Sequence, residues 1–396
     1  MPARTIAREG RVEGPGLHEG VPTRVVFRPA PPGSGIRFRR SDLPGSGEIP
    51  ALARYREERP RRTALVRERA EVHTVEHLLA AVWGRGLTDL DIEVDGVELP
   101  GLDGSARDFY RALVDSGVVE APGPAPALAL DRPLSVTDGR GAWIVALPHQ
   151  GGFVLDYTLD YGRELPKRRV AVLVTEDTFR DEIAPARTFC LEREAAALTA
   201  AGLGRGASYE NTLVIGGDGR PIRNAFRFED ELCRHKLLDL LGDLALAGVR
   251  LEARVIAYRS GHALNAAMAK QLLELAEGSS PGPSPSASPR GMVLADAGID
   301  VGARTFRPVE TLFAGHFPGE PLLAGAFELA ALAAAAGGPE AALAAVETAR
   351  FRRVVRPGEA LSLEATAPLG GRARARALVG KDVAAEASLR FRDDRS

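Results

Sequence analysis

The stretch Arg234-His235-Lys236-Leu237-Leu238-Asp239-Leu240-Leu241-Gly242-Asp243 decides how this chain is read. At about 100° per residue, His235, Asp239 and Asp243 share one helical stripe, whereas Leu237, Leu238, Leu240, Leu241 and Leu244 point the other way. One face is therefore core, and the other sets an imidazole and a carboxylate four residues apart, a potential metal site. Taken alone, the segment could equally be a surface helix with a solvated stripe. Two further clusters shift the balance. His73-Thr74-Val75-Glu76-His77 precedes the apolar run Leu78 to Val82, a helix start with Thr74 near its cap and a carboxylate beside a histidine. Ser260-Gly261-His262-Ala263-Leu264-Asn265 places a histidine after a glycine turn that follows the strand-like Leu251 to Tyr258. Together the three clusters point to a hydrolytic metal centre.

A chain of 396 residues exceeds one ordinary core and predicts two or three domains. Its net charge of −2 gives no global field to draw it to nucleic acid or an anionic membrane. Two cysteines, Cys190 and Cys233, make no disulfide framework and fit a reducing cytosol. Cys233 reads as a buried thiol, with a soft metal ligand as the alternative. Met1 to Gly14 has no apolar run of signal-peptide kind, and no stretch of about 18 apolar residues predicts a membrane-spanning helix. A cytoplasmic protein is expected.

The Pro/Ser/Gly-rich segment 277–290 reads as a flexible tether, because it cannot bury enough apolar surface to offset its ordering. A weaker boundary lies at Ala121-Pro122-Gly123-Pro124-Ala125-Pro126. The expected domains are 1–122, 127–276 and 291–396, with mixed α+β rhythm in the first two. The charged run Tyr55 to Arg69 reads as a solvated loop and strand.

Catalytic zinc commonly takes three protein ligands and leaves a position for water. His77, His235 and Asp239 could supply two nitrogens and an oxygen. Glu76, adjacent in sequence to one ligand, is placed to take a proton from metal-activated water. His262 would be the complementary acid, and Asp243, one turn beyond Asp239, could keep it protonated. His73 to His77 also spell the H-x-x-E-H signature of inverted zinc peptidases, in which His73 and His77 bind zinc. That alternative leaves His235, Asp239 and His262 without a task.

Residues 1–276 resemble the UDP-3-O-acyl-N-acetylglucosamine deacetylases, the zinc enzymes of the committed step of lipid A synthesis. The likeness runs through Gly14-Pro15-Gly16-Leu17-His18-Glu19-Gly20, Thr74 to Leu79, Leu102-Asp103-Gly104-Ser105-Ala106, Ala186-Arg187-Thr188-Phe189, Phe228-Glu229-Asp230-Glu231, Arg234-His235-Lys236 and Ser260 to Asn265. The resemblance implies His77, His235 and Asp239 as zinc ligands, Glu76 as base and His262 as acid. It also implies Thr188 near the oxyanion, Lys236 and Phe189 toward the substrate, and Asp243 behind His262. The implied fold is two sandwiches, each a sheet against a helix pair, and the implied substrate is an acylated UDP-sugar.

The tail, 291–396, resembles the hot-dog fold of the 3-hydroxyacyl-[acyl-carrier-protein] dehydratases through Gly315-His316-Phe317-Pro318-Gly319-Glu320-Pro321 and Ala349-Arg350-Phe351-Arg352-Arg353-Val354-Val355-Arg356-Pro357-Gly358. Where that family carries its glutamate, fourteen residues after the histidine, this chain has Ala330. Glu328 lies about 200° round a helix from that point and should not reach it. Because dehydration needs an acid and a base, His316 alone predicts a poor catalyst. The expected roles are acyl holding, docking of an acyl carrier protein, or homodimer formation. Arg372, Arg374 and Arg376 could present a basic strand face to such a carrier, or simply a solvated one. A third reading of the whole chain is a scaffold without catalysis, against which the full set of metal-site residues speaks.

Overall fold

A computed structural model describes residues 2–131, 133–138, 141–278, 305–306, 332, 343–353, 355–356, 359–366 and 372–391. The chain is α+β and divides into two compact units, one of Met1–Val136 with Ala142–Gly282 and one of Thr137–Gly141 with Pro283–Ser396.

The first unit opens with a five-stranded sheet, in the spatial order Gly10–Pro15, Pro22–Arg28, Leu90–Val94, Ile36–Arg40 and Glu48–Pro50. Pro22–Arg28 alternates strictly, with Thr23, Val25 and Phe27 buried, which is the period-two pattern of a half-buried strand. Helix α1, Glu76–Gly84, is buried on every side, as expected of a helix apolar from Leu78 onward. Helix α2, Arg107–Asp115, buries only Phe109, Tyr110 and Leu113. A hairpin-built sheet of Arg56–Arg59, Arg62–Arg67 and Ala70–His73 leads into α1. This corrects the reading of Tyr55 to Arg69 as solvated: Arg62, Thr63, Ala64 and Leu65 are buried there.

Beyond Pro124 the chain builds a second sheet. Arg250–Tyr258 is flanked by Trp143–Pro148, antiparallel, and by Val154–Leu159, parallel, which in turn pairs with Arg168–Leu173. Leu251, Ala253, Val255 and Ala257 alternate inward from that central strand. Short helices α3, Glu176–Thr178, and α4, Glu192–Ala200, lie on the connection, followed by α5, Glu231–Leu244, and α6, His262–Gly278. The Pro-rich stretch expected to divide the two halves is a strand as far as Pro124, paired with Pro2–Ile6.

Helix α5 settles the reading of its two faces. Its leucines are buried as expected, but His235, Asp239 and Asp243 are buried as well. The polar stripe therefore faces protein, packed toward α1. Gly242 permits the approach: a Cβ there would lie 2.0 Å from the carbonyl oxygen of Glu76.

The second unit contains an antiparallel sheet, ordered Thr305–Phe306, Leu361–Ala365, Arg372–Val379, Asp382–Phe391 and Leu343–Phe351. Arg372, Arg374 and Arg376 are exposed while Ala373, Ala375 and Ala377 are buried. Arg372 meets Glu347 at 3.0 Å and Arg376 meets Glu364 at 2.7 Å, so this face mixes both signs. His316, Glu328 and Ala330 lie outside the described residues. Among the described residues no helix is long and apolar enough to cross a membrane.

Candidate metal centre

Helix α1 delivers Glu76 and His77 from its first turn, and α5 delivers His235, Asp239 and Asp243 from one stripe. The ligand atoms of His77, His235 and Asp239 all lie within 4.8 Å of one another. Asp239 Oδ1 is 3.6 Å from His77 Nε2 and 3.4 Å from His235 Nε2, and the two imidazoles meet edge to face with centroids 5.1 Å apart. His235 Nδ1 faces the carbonyl oxygen of Ala186 at 3.1 Å, so with its proton on Nδ1 the ring turns the Nε2 lone pair toward the triplet. Burial lowers the His235 pKa to about 4, which keeps that lone pair free at neutral pH.

Asp239 is held well below the usual carboxylate range: burial opposes its charge, but Lys236, His235 and His262 outweigh it. Lys236 Nζ donates to Asp239 Oδ2 at 2.7 Å, leaving Oδ1 for the two histidines. Burial disfavours the ammonium charge, yet Asp239 more than restores it, and Lys236 stays protonated. Cys233 is a buried thiol as expected; burial pushes its pKa up to about 11, and it donates to the carbonyl oxygen of Tyr157.

Glu76 and His262 sit beside the triplet. Glu76 is 2% exposed, and burial raises its pKa against the pull of His262 and His77. Its Oε1 lies 3.8 Å from His262 Nε2. Across the ring, His262 Nδ1 donates to Asp243 Oδ2 at 2.9 Å, and Asn265 Nδ2 donates to the same oxygen at 2.9 Å. Although burial works against the imidazolium, Asp243, Asp239 and Glu76 raise His262 to about 9. The two partners are thus pushed toward opposite tasks, a carboxylate able to accept a proton and an imidazolium able to give one.

These groups open on a cavity of about 280 Å³. Thr188, Phe189 and Lys236 line it with the triplet, Glu76 and His262, whereas Asp243 stands behind His262. Leu17, Leu198, Leu203 and Ala207 give the same cavity apolar walls.

Thr74 was expected near the cap of α1, but the helix has no side-chain cap there. Instead Thr74 takes a left-handed conformation, φ 58°, and its hydroxyl donates to Glu98 Oε1 at 2.9 Å. A β-branched residue in that region carries roughly 1–3 kcal/mol of strain, and Glu98, which also accepts the His18 and Glu19 backbone N–H groups, holds it there. His73 turns away from the triplet, its Nε2 3.0 Å from Glu71. Arg61, Tyr161 and Cys190, which nothing in the sequence marked out for a role, also line the cavity, as does His18. His18 carried a signal, a histidine among glycines like His262. Thr63, which contacts both Glu76 and Asp243, carried none.

Two imidazoles, two carboxylates near the cavity and a protonated histidine define a site able to hold a cation and hydrolyse an acyl bond. Residues 3–274 match the family model for LpxC, UDP-3-O-acyl N-acetylglycosamine deacetylase, and residues 300–376 match that for ApeI-like, ApeI dehydratase. A UDP-3-O-acyl-N-acetylglucosamine deacetylase from Anaeromyxobacter dehalogenans (strain 2CP-C) is 40% identical over 68% of this chain and 87% of its own length. One from Myxococcus xanthus (strain DK1622) is 38% identical over 68% and 86%. A bifunctional enzyme LpxC/FabZ from Chlorobaculum tepidum is 31% identical over 91% of each chain. The chain belongs to the LpxC family of UDP-3-O-acyl-N-acetylglucosamine deacetylases, and it continues into a hot-dog-like domain.

Proposed function

We propose that this chain hydrolyses the N-acetyl group of UDP-3-O-(3-hydroxyacyl)-N-acetylglucosamine in the cytoplasm, releasing acetate in the committed step of lipid A synthesis, with zinc as its metal. The observation that carries this reading is the convergence of His77, His235 and Asp239 with Glu76 and the His262–Asp243 pair on one cavity. Two imidazole nitrogens and one carboxylate oxygen suit zinc, and their buried atoms are spaced to share one ion. Bound there, the metal would acidify water and polarise the acetamide carbonyl.

Glu76 takes the proton of the attacking water, from a position where burial has raised its affinity for one. Thr188 donates to the oxyanion as it forms. His262 hands its proton to the sugar nitrogen as the C–N bond breaks, giving acetate and a free amine. Lys236 and Phe189 face the substrate, and the apolar cavity walls suit its acyl chain. His73, bonded to Glu71 instead, disfavours the peptidase arrangement.

We further propose deacetylase domains at 1–122 and 127–276, a tether at 277–290, and a domain at 291–396 that binds acyl groups or a carrier protein, or dimerises. The decisive experiment measures acetate release by the full-length chain after chelation and after adding back zinc. Glu76→Ala should retain zinc and lose about 10²–10⁴-fold in kcat, whereas His77→Ala and Asp239→Ala should lose zinc. A Glu76→Ala variant near the parental rate would remove the base from this scheme, and zinc-loaded protein that releases no acetate would remove the activity.

A further inference from the structure

Thr63 is fully buried in the strand Arg62–Arg67 and touches both Glu76 and the Asp243–His262 pair. Its backbone N–H donates to Glu76 Oε2 at 3.1 Å, which leaves Oε1 as the oxygen facing His262. Its hydroxyl donates to Asp243 Oδ1, and Asp243 Oδ2 in turn accepts from His262 Nδ1 and Asn265 Nδ2. Its carbonyl oxygen accepts the N–H of Val75, the residue before Glu76. Glu76 comes from α1, Asp243 from α5 and His262 from the start of α6. One strand residue therefore references three helices to each other.

We propose that Thr63 is a positioning residue for the hydrolysis, fixing the Glu76 carboxylate and the Asp243–His262 pair in one register. This rests on the deacetylase reading given above. Without the hydroxyl, a fully buried Asp243 keeps Oδ2 bonded but loses the donor on Oδ1, so the carboxylate can turn and carry the imidazole with it. Groups that orient a site from behind typically cost 10–100-fold when removed. Valine matches threonine in shape and keeps the backbone N–H for Glu76, so Thr63→Val isolates the hydroxyl.

The test uses full-length protein carrying Thr63→Val, Thr63→Ser, Asp243→Ala, and Thr63→Val with Asp243→Ala. Thr63→Val should lower kcat by about 10–100-fold with KM and bound metal unchanged, and Thr63→Ser should restore most of it. The Thr63 hydroxyl also lies 3.4 Å from His262 Nδ1, so in the Asp243→Ala background Thr63→Val should cost clearly less than in the parent, the carboxylate through which it mainly acts being gone. A parental kcat in Thr63→Val, or additive losses in the double variant, overturns the proposal. In histidine-labelled protein as purified, the His262 Nδ1–H resonance should be protected from exchange in the parent and in Thr63→Ser, and shifted or lost in Thr63→Val. An unchanged resonance also overturns it. Should the parent release no acetate, the activity reading fails separately, and the His262 resonance alone decides the role of Thr63.

Discussion

His262 shows how a single residue acquires its task from its surroundings. An isolated imidazole is mostly neutral at pH 7. Here burial would discharge it further, yet Asp243, Asp239 and Glu76 hold its pKa up to about 9. The proton it is proposed to give to the amine is therefore present at neutral pH and leaves as pH rises through that value, so deacetylation should fall on the alkaline side. A pH profile of kcat for the parent and for His262→Asn checks the assignment: the variant should be slower and lack that alkaline limb. An alkaline limb that persists in the variant would assign it to another group. The residue types were legible in sequence, since histidines beside carboxylates and glycines are few in this chain. Thr63 was not, because a threonine in a charged run has no sequence feature marking it as buried.

Among the elements, the meeting of α1 and α5 builds the site. Spacing alone predicted that His235, Asp239 and Asp243 share a stripe, and the helix bears this out. What periodicity could not tell is that the stripe is buried, because its partner lies some 160 residues away in sequence order and burial depends on that partner. Gly242 makes the approach possible, with no room between its α-carbon and the Glu76 carbonyl. Gly242→Ala should force the helices apart, costing about 1–3 kcal/mol of stability and most of the turnover, since Glu76 and His77 lie at the contact. Urea denaturation beside kcat measures both, and a variant with parental stability and rate would show that the contact is not tight.

For the molecule as a whole, the deacetylase portion and the tail differ in what their residues can do. We expect no dehydration of a 3-hydroxyacyl carrier substrate by the full-length chain, since Ala330 stands where an acid–base partner for His316 would be required. Turnover that survives in Glu76→Ala but disappears in His316→Ala would overturn this and give the tail a chemistry of its own. The sequence by itself determined the α+β class and brought forward the residues His77, His235 and Asp239 and the proposed base Glu76 and acid His262, because helical and strand periods and rare residue types are written locally along the chain. Only the tertiary structure decided that the polar stripe of α5 is buried, that Thr74 serves Glu98 rather than the helix end, and that Thr63 joins Glu76 to Asp243. Those outcomes depend on contacts between distant segments, where desolvation and hydrogen-bond geometry, rather than residue type, set what each side chain does.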